Sequence, residues 1–252
     1  MKISVITVTF NSLPALKKTV RSVCHQDYPD LEYIIIDGAS QDGTVAFLKE
    51  NGGHVAAWVS EPDSGIYEAM NKGVRLATGD YCIFMNAGDL FVNRHVLSRA
   101  SRHLGKADFI LGNEIVLDER DRIIGYYSSR NGYTLYNLLT SSTCHQASLI
   151  RRSVLTEHPY DEHLRLVSDW KFILERYLEG KYVFKEINLD VCFFRTGGAT
   201  ERYLETGALE RSSVLRQYPA YESVWSKPYS PTLATQVLNK VREIGAHLCY
   251  LK

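Results

Sequence analysis

Four apolar runs in the first ninety residues each stop at polar or acidic groups. Thr9-Phe10-Asn11 ends ISVITVT, Asp37 ends EYIII, Glu61-Pro62-Asp63 follows HVAAWVS, and Asn86-Ala87-Gly88-Asp89 follows YCIFM. The last stretch, FMNAGD, is the most pointed. Sites that hold a metal-bound diphosphate often set two carboxylates at such a place. Here there is one, Asp89, with an amide, Asn86, where another acid could stand. Hard cations such as magnesium and manganese need only one or two carboxylates when phosphate oxygens and waters complete the shell. FMNAGD therefore reads as a donor-dependent metal site, with a plain strand-ending turn as the alternative. A phosphate ligand in so acidic a pocket also calls for basic groups, and Lys72 and Arg75 are the candidates. Neither GxGxxG nor GxxxxGK[ST] follows the first run, which argues against a dinucleotide dehydrogenase and a P-loop enzyme.

The elements that must position these groups alternate. ISVITVTF, EYIIIDG, HVAAWVS and YCIFM have the continuous apolar character of strands buried on both faces. Between them lie helical patterns. Pro14 suits a first turn, and Leu16, Val20, Val23 and Cys24 form a stripe. A short helix ends near Gly52-Gly53, and Ile66, Ala69, Met70, Gly73, Val74 and Ala77 recur at helical spacing, with Ser64 to cap and Gly79 to close. The order βαβαβαβ predicts an α/β fold with a mainly parallel central sheet flanked by helices, and ligands beyond the carboxyl ends of its strands. Further on, FILGNEIVL (109–117) and RIIGYY (122–127) flank DERD as a hairpin, CHQASLI (144–150) reads as a strand, and a helix runs from Ser168 or Asp169 to Gly180. YVFKEINLDVCFF (182–194) is strand-like. Two helical segments follow from about 201, the last carrying Leu233, Val237, Val241, Ile244, Leu248 and Leu251.

Length and charge bound the rest. The 252 residues suit one large α/β domain, alone or with an appendage. With 29 basic and 29 acidic side chains, the balance gives no support for a duplex nucleic-acid binder. Cys24, Cys82, Cys144, Cys192 and Cys249 form no CxxC pair and read as small hydrophobes of a reducing compartment. Met1 leads directly into a core strand, so no signal peptide is expected, and no run reaches the roughly 18–20 apolar residues of a membrane span. The protein is expected in the cytoplasm.

TVTFN, IIIDGASQDGT, SEPDSGIYEAMNKGVRLATGDY and FMNAGD, in this order and spacing, resemble the nucleotide-diphospho-sugar glycosyltransferases of family two. That family has the GT-A fold, a Rossmann-like nucleotide-diphospho-sugar transferase fold. EPDSGIYEAMNKG with NAGD most resembles bacterial enzymes that build colanic acid, capsule and O-antigen. The resemblance is dense over residues 1–95, thinner to about 200 and absent beyond. It implies a GT-A domain over 1–200, divided into a nucleotide-sugar half (1–95) and an acceptor half (96–200), then a helical C-terminal extension (201–252).

The resemblance also implies roles. Thr9 and Asn11 match a strand tip that contacts the nucleoside. Asp37 matches the first Asp of a DDGS-like turn that accepts a base N–H, and Gly38 departs from the pattern where a second Asp would stand. Asp63 and Lys72 match the segment that covers the nucleotide. Asn86 meets the ribose or the inner shell of a cation held by Asp89. Asp169, in VSDW, falls where the family places a catalytic carboxylate at a helix start. His145, Gln146 and Trp170 fall on the acceptor or diphosphate side. Each has a plainer reading: Asp37 as a turn residue, Asp63 as a cap, Lys72 as a solvated charge, Asp169 as a first-turn helix acid, and His145 and Trp170 as core.

The function implied is inverting, metal-dependent sugar transfer from a nucleotide-diphospho-sugar, UDP-sugar favoured by family habit, to a hydroxyl of a growing and lipid-linked glycan. Asp169 takes the hydroxyl proton, and manganese or magnesium at Asp89 bears charge on the leaving diphosphate. The final amphipathic stripe suggests peripheral contact with the inner face of the membrane. The alternatives are a nucleotidyltransferase, whose basic Gly-rich loop after the first strand is missing from TFNSLPALK, and a non-catalytic nucleotide-sugar-binding module, which would not need Asp169.

Overall fold

An apolar run with no polar face becomes a strand covered on both sides, and β1 (Ile3–Thr9), β2 (Leu31–Asp37) and β4 (Tyr81–Phe84) are of this kind. With β3 (Ala57–Ser60) they form the parallel half of one sheet, in the order β3-β2-β1-β4. The structure, a computed structural model, describes residues 1–51, 53, 55–131, 134–141, 143–198 and 203–225.

The same sheet continues beyond β4. β8 (Ser148–Arg151) runs antiparallel to β4 and to β6 (Phe109–Leu117), and β9 (Phe184–Arg195) runs parallel to β6. The short β5 (Leu90–Phe91) pairs with β9, and β7 (Ile123–Tyr127) pairs with β6, both antiparallel. Two antiparallel steps bring β6 back to the direction of β4. The carboxyl ends of β1–β4, β6 and β9 therefore share one edge with the amino end of β8.

Residues on alternate sides of β1 seed two cores. Ile6 and Val8 pack with Met70 and Val74 of α3 (Ile66–Leu76) and with Trp170, Phe172 and Ile173 of α7 (Ser168–Glu179). Ile3 and Val5 pack with Leu16, Val20 and Val23 of α1 (Leu13–Cys24), Leu48 of α2 (Thr44–Asn51) and Leu97 of α4 (Val96–Ala100). Gly73 allows α3 to lie on β1, since a Cβ there would stand 2.4 Å from Ile6 Cγ2. The remaining α-helices among the described residues are α5 (Leu135–Thr140), α6 (Arg152–Glu157), α8 (Leu204–Leu215) and α9 (Glu222–Trp225).

The α/β fold, the hairpin and the Gly180 stop of α7, with its left-handed φ of 67°, agree with the sequence reading. Three boundaries differ. In CHQASLI, His145–Ala147 coil into a 3-10 turn and only Ser148 onward is strand. Ser64 does not cap α3: Gly65 stands at that position, and the Ser64 backbone N–H and hydroxyl both donate to Glu68 Oε2 at 2.6 Å. Gly79 does not close α3, which ends at Leu76 with Ala77 as its C-cap. It lies against β1, where its N–H donates to Ser4 Oγ at 3.0 Å. Cys82 and Cys192 are buried, whereas Cys24 is exposed. No helix among the described residues is long and apolar enough to cross a membrane. The stripe from Leu233 to Leu251, and Cys249, lie outside the described residues.

Candidate active site

Parallel registers set the first group of candidates side by side: Thr9 pairs with Asp37, and Asp37 with Ser60. Asp37 is fully buried. Its Oδ2 accepts from Ser40 N–H at 3.0 Å and Ser60 Oγ at 2.6 Å, and its Oδ1 accepts from the Ser40 hydroxyl. Asn11, at φ 46°, donates its N–H to Ser40 Oγ at 2.7 Å and accepts from Gln41 N–H at 2.8 Å through Oδ1. The tips of β1 and β2 are thus tied into one rigid rim. Thr9 Oγ1 is buried there without a hydrogen-bond partner.

Asp63 lies over the same rim. A Cβ on Gly38 would come within 2.8 Å of Asp63 Oδ2, so the glycine that replaces a second Asp makes room for an acid from the next strand. Burial is the main reason the Asp63 carboxyl sits above its ordinary value, against the pull of Lys72. Lys72 Nζ is held by Glu61 Oε1 and Glu68 Oε1, each at 2.9 Å, and by the Pro62 carbonyl at 3.1 Å. Burial opposes its charge, but the two carboxylates outweigh this and raise its pKa. Lys72 is thereby tied to the segment that follows β3. The structure does not bring it to Asp89. Arg75, a turn further on, is exposed.

The second group gathers at the tip of β4. Gly88, at φ 114°, turns the chain between Asn86 and Asp89. Thr19 of α1 pins this turn, accepting from Gly88 N–H at 2.9 Å and donating to the Asp89 carbonyl at 3.0 Å. Because β8 pairs with β4, its leading 3-10 turn places His145 and Gln146 beside Asn86 and Asp89. Asp169, in the first turn of α7, accepts from Tyr67 OH through Oδ1 and from His145 Nδ1 through Oδ2, both at 2.7 Å. On its other side, His145 Nε2 faces Asn86 Nδ2 at 3.3 Å, while Asn86 Oδ1 is buried without a partner.

The charges follow from this burial. Asp89 is buried, and burial pushes its carboxyl up to about 7, although His145, the Arg195 and Asn86 backbones and the Gln146 side chain bond or attract it. Glu114, in the middle of β6, is pushed up to about 8 by burial and by Asp89. Burial also opposes charge on Asp169, but His145 and Tyr67 win and hold its carboxyl below the ordinary range. For His145 burial lowers the pKa, yet Asp169, Asp89 and Glu114 together raise it. The two shifts favour an Asp169–His145 ion pair next to two carboxyls reluctant to ionise.

Two members of this cluster escape sequence reasoning. Glu114 has a signal, an acid inside the apolar run FILGNEIVL. Tyr67 has none, because its hydroxyl matters only through the approach of α7 to α3. Trp170 is not brought to the cluster. It is buried, its Nε1–H donates to the Leu138 carbonyl at 2.6 Å, and the Arg211 guanidinium lies 4.0 Å from its ring centre. Among the described residues, no three His, Cys, Asp or Glu side chains are arranged to hold a metal ion unaided. Asp89 and the unpartnered Asn86 Oδ1 nevertheless suit a hard cation whose shell a ligand completes. A cation would relieve the carboxylate that burial disfavours and supply the partner that the amide oxygen lacks.

Residues 4–158 match glycosyl transferase family 2. An uncharacterised glycosyltransferase of Mycobacterium tuberculosis (strain H37Rv) is 35% identical over 228 residues, covering 86% of this chain and 85% of that protein. A PGL/p-HBAD biosynthesis glycosyltransferase of Mycobacterium bovis is 28% identical over 217 residues, covering 82% of each. Among solved structures, S. aureus TarS 1-349 superposes with a TM-score of 0.64 at 21% identity over 85% of this chain, and the chain spans 65% of that structure's length. TarS 1-349 in complex with UDP-GlcNAc gives 0.65 at 18% identity, covering 92% of this chain and 74% of that one. A mannosyltransferase from Pyrobaculum calidifontis, in complex with GDP-Man and Mn2+, gives 0.61 at 19% identity, covering 99% and 80%. At these identities the structures establish a shared fold.

Proposed function

Since the chain belongs to glycosyl transferase family 2, we propose that it is an inverting enzyme moving a sugar from a nucleotide-diphospho-sugar, UDP-sugar favoured, to a hydroxyl of a growing lipid-linked bacterial surface glycan. Family membership leaves the nucleotidyltransferase reading without support. The observation that carries the proposal is the buried Asp169–His145 pair, joined at 2.7 Å, beside Asp89 at the carboxyl edge of the sheet.

The nucleoside lies across the β1–β2 rim. Asp37 accepts a base N–H, Thr9 Oγ1 and Asn11 meet the nucleoside, and Asp63, backed by Lys72, covers it. Asn86 reaches the ribose or lends its oxygen to a cation. A divalent cation, manganese or magnesium, held by Asp89, would bear charge on the leaving diphosphate. Gln146 holds the Asp89 carboxyl in place, and the acceptor lies on the His145 side. Asp169 accepts from the Tyr67 hydroxyl, from His145 Nδ1 and from the Trp170 backbone N–H, which leaves one of the roughly four lone-pair positions of the carboxylate open. The acceptor hydroxyl meets that open position and gives up its proton as its oxygen bonds to the anomeric carbon and the diphosphate leaves from the opposite face. One displacement inverts that carbon and needs no enzyme nucleophile. Tyr67 fixes the carboxylate during this step.

A second reading, which applies to the fraction of His145 that is neutral, makes its Nε2 the proton acceptor and Asp169 its orienter. It is favoured by one observation, that both Asp169 oxygens are already engaged while Nε2 meets only the Asn86 amide. Asp169→Asn and His145→Gln separate the two: under the first reading the Asn variant loses more rate, under the second the losses are comparable.

The acceptor class places the enzyme in the cytoplasm, at the inner face of the membrane. A thermal-shift panel of nucleotide-sugars, with and without manganese, tests the donor. A ligand that binds only the folded state raises apparent stability by mass action. The expected result is a shift with one nucleoside diphosphate series, enlarged by manganese. No shift with any of them would overturn the donor assignment.

A further inference from the structure

Segments 12–26 and 90–107 contain Lys17, Lys18, Arg21, Arg94, Arg99, Arg102 and Lys106 and no Asp or Glu, in a chain with 29 charges of each sign. The fold puts the two segments together. Phe91 N–H donates to Ser22 Oγ at 2.8 Å, Gln26 Nε2 to the Asn93 carbonyl at 2.7 Å, and Leu97 N–H to Gln26 Oε1 at 3.1 Å. Both α1 and α4 lie on the face of the sheet opposite α3 and α7. That face therefore carries a strongly basic surface although the whole chain is neutral; the acid at its border, Asp27, is engaged by His95 Nδ1, and its backbone N–H donates to the Arg94 carbonyl at 3.0 Å.

Between the two segments runs a groove of 380 Å³. Lys18, Arg21 and Arg94 stand at its rim and Leu90, Phe91 and Phe193 form its floor. The three cations are exposed, and none takes part in an ion pair among the described residues. Several cations elsewhere are matched, Lys2 with Glu32, Arg151 with Asp108, Lys171 with Asp161 and Arg176 with Glu179, and those unmatched among the described residues, such as Arg120, Arg130 and Arg216, do not line this groove. Unmatched cations over an apolar floor suit an amphiphile with a phosphate head. A nucleic acid would leave the half-buried Leu90 and Phe193 without a counterpart, and a neutral glycan would leave the cations without one.

We propose that the α1–α4 face is the protein's docking surface for an anionic phospholipid membrane, with a lipid phosphate seated among Lys18, Arg21 and Arg94 and the start of the acyl region against the half-buried Leu90 and Phe193. The surface lies next to the site without being part of it: Thr19 of α1 holds the Asp89 carbonyl, and Lys18, Arg21 and Ser22 flank it on the same helix. The purpose of the surface rests on the lipid-linked acceptor of the proposed function, whereas its existence does not. Vesicle binding and donor binding can each fail alone.

The test is co-sedimentation of the full chain with neutral phosphatidylcholine vesicles and with vesicles containing phosphatidylglycerol, alongside titration with soluble RNA. Binding to the anionic vesicles, weak binding to neutral ones and weakening by salt are expected. An anionic surface attracts each adjacent basic residue by about 1 kcal/mol, roughly fivefold, so Lys18→Gln, Arg21→Gln and Arg94→Gln together should cost on the order of 100-fold in partition. Arg120→Gln, Arg130→Gln and Arg216→Gln, which change net charge equally at exposed sites elsewhere, should cost little. Circular dichroism and nucleoside diphosphate thermal shift should be unchanged in both triple variants. Failure of the wild type to bind anionic vesicles, equal losses in the two triple variants, or RNA binding as tight as vesicle binding would overturn the proposal.

Discussion

Glu114→Gln should make the protein more stable at neutral pH, and the gain should vanish in acid. Glu114 is buried in the middle of β6, and its carboxyl is pushed from an ordinary 4.5 up to about 8 by burial and by Asp89. The folded state therefore binds this proton more tightly than the unfolded chain. Below pH 4.5 both states are protonated and the side chain contributes no pH dependence. Above it the unfolded chain ionises first, so wild-type stability falls with rising pH until the folded carboxyl also ionises near 8. One pKa unit is worth about 1.4 kcal/mol, so the 2.5 units between 4.5 and pH 7 correspond to about 3 kcal/mol lost by the wild type. Glutamine has nearly the shape of the protonated acid and does not titrate. Urea unfolding of both proteins at half-unit steps from pH 4.5 to 8.5 should give curves that nearly meet at the acid end and separate by roughly 2–4 kcal/mol near pH 7. A pH-independent difference, or a variant less stable than wild type at pH 7, would refute the claim that this carboxyl is held protonated.

Asp37→Ala should weaken nucleoside diphosphate binding by roughly 1.5–3 kcal/mol, the worth of a hydrogen bond to a charged group, as read by calorimetry on folded protein. Asp89→Ala should abolish the tightening of manganese binding by nucleoside diphosphate. In the wild type that coupling should strengthen as pH rises through about 7, where the Asp89 carboxyl ionises. Tyr67→Phe leaves Asp169 with one bond fewer and should slow transfer while donor affinity stays the same, as read by separate kcat and KM values.

The nucleotide side of the site is legible in the sequence because it is local. Each of Thr9, Asp37 and Asp63 terminates or follows a buried strand, and parallel pairing at neighbouring positions suffices to align them. Asp89 and Gly88 belong to the same class. The transfer side is a tertiary product. CHQASLI carries the pattern of a strand, yet its first residues coil because they must turn beneath Asn86 and reach Asp169. Glu114 enters from a strand that joins the sheet only after two antiparallel steps, which the βαβ rhythm of the first ninety residues does not foretell. Trp170 sits on the buried stripe of α7, where helical spacing alone favours core over ligand contact, and the core is where it lies. Lys72 could be anticipated in part, since Glu68 stands four residues before it, the spacing of a helical ion pair.

The central claim is that Asp169 receives the acceptor proton in a sugar transfer. The direct measurement is the single-turnover rate of Asp169→Asn at saturating donor, with donor affinity determined on the same preparation. The account predicts unchanged donor binding and a rate lower by roughly 10²–10⁴ fold, the usual worth of a general base. A variant that binds donor normally and transfers at the wild-type rate would contradict it and leave Asp169 as the partner that holds His145 and Tyr67 in place.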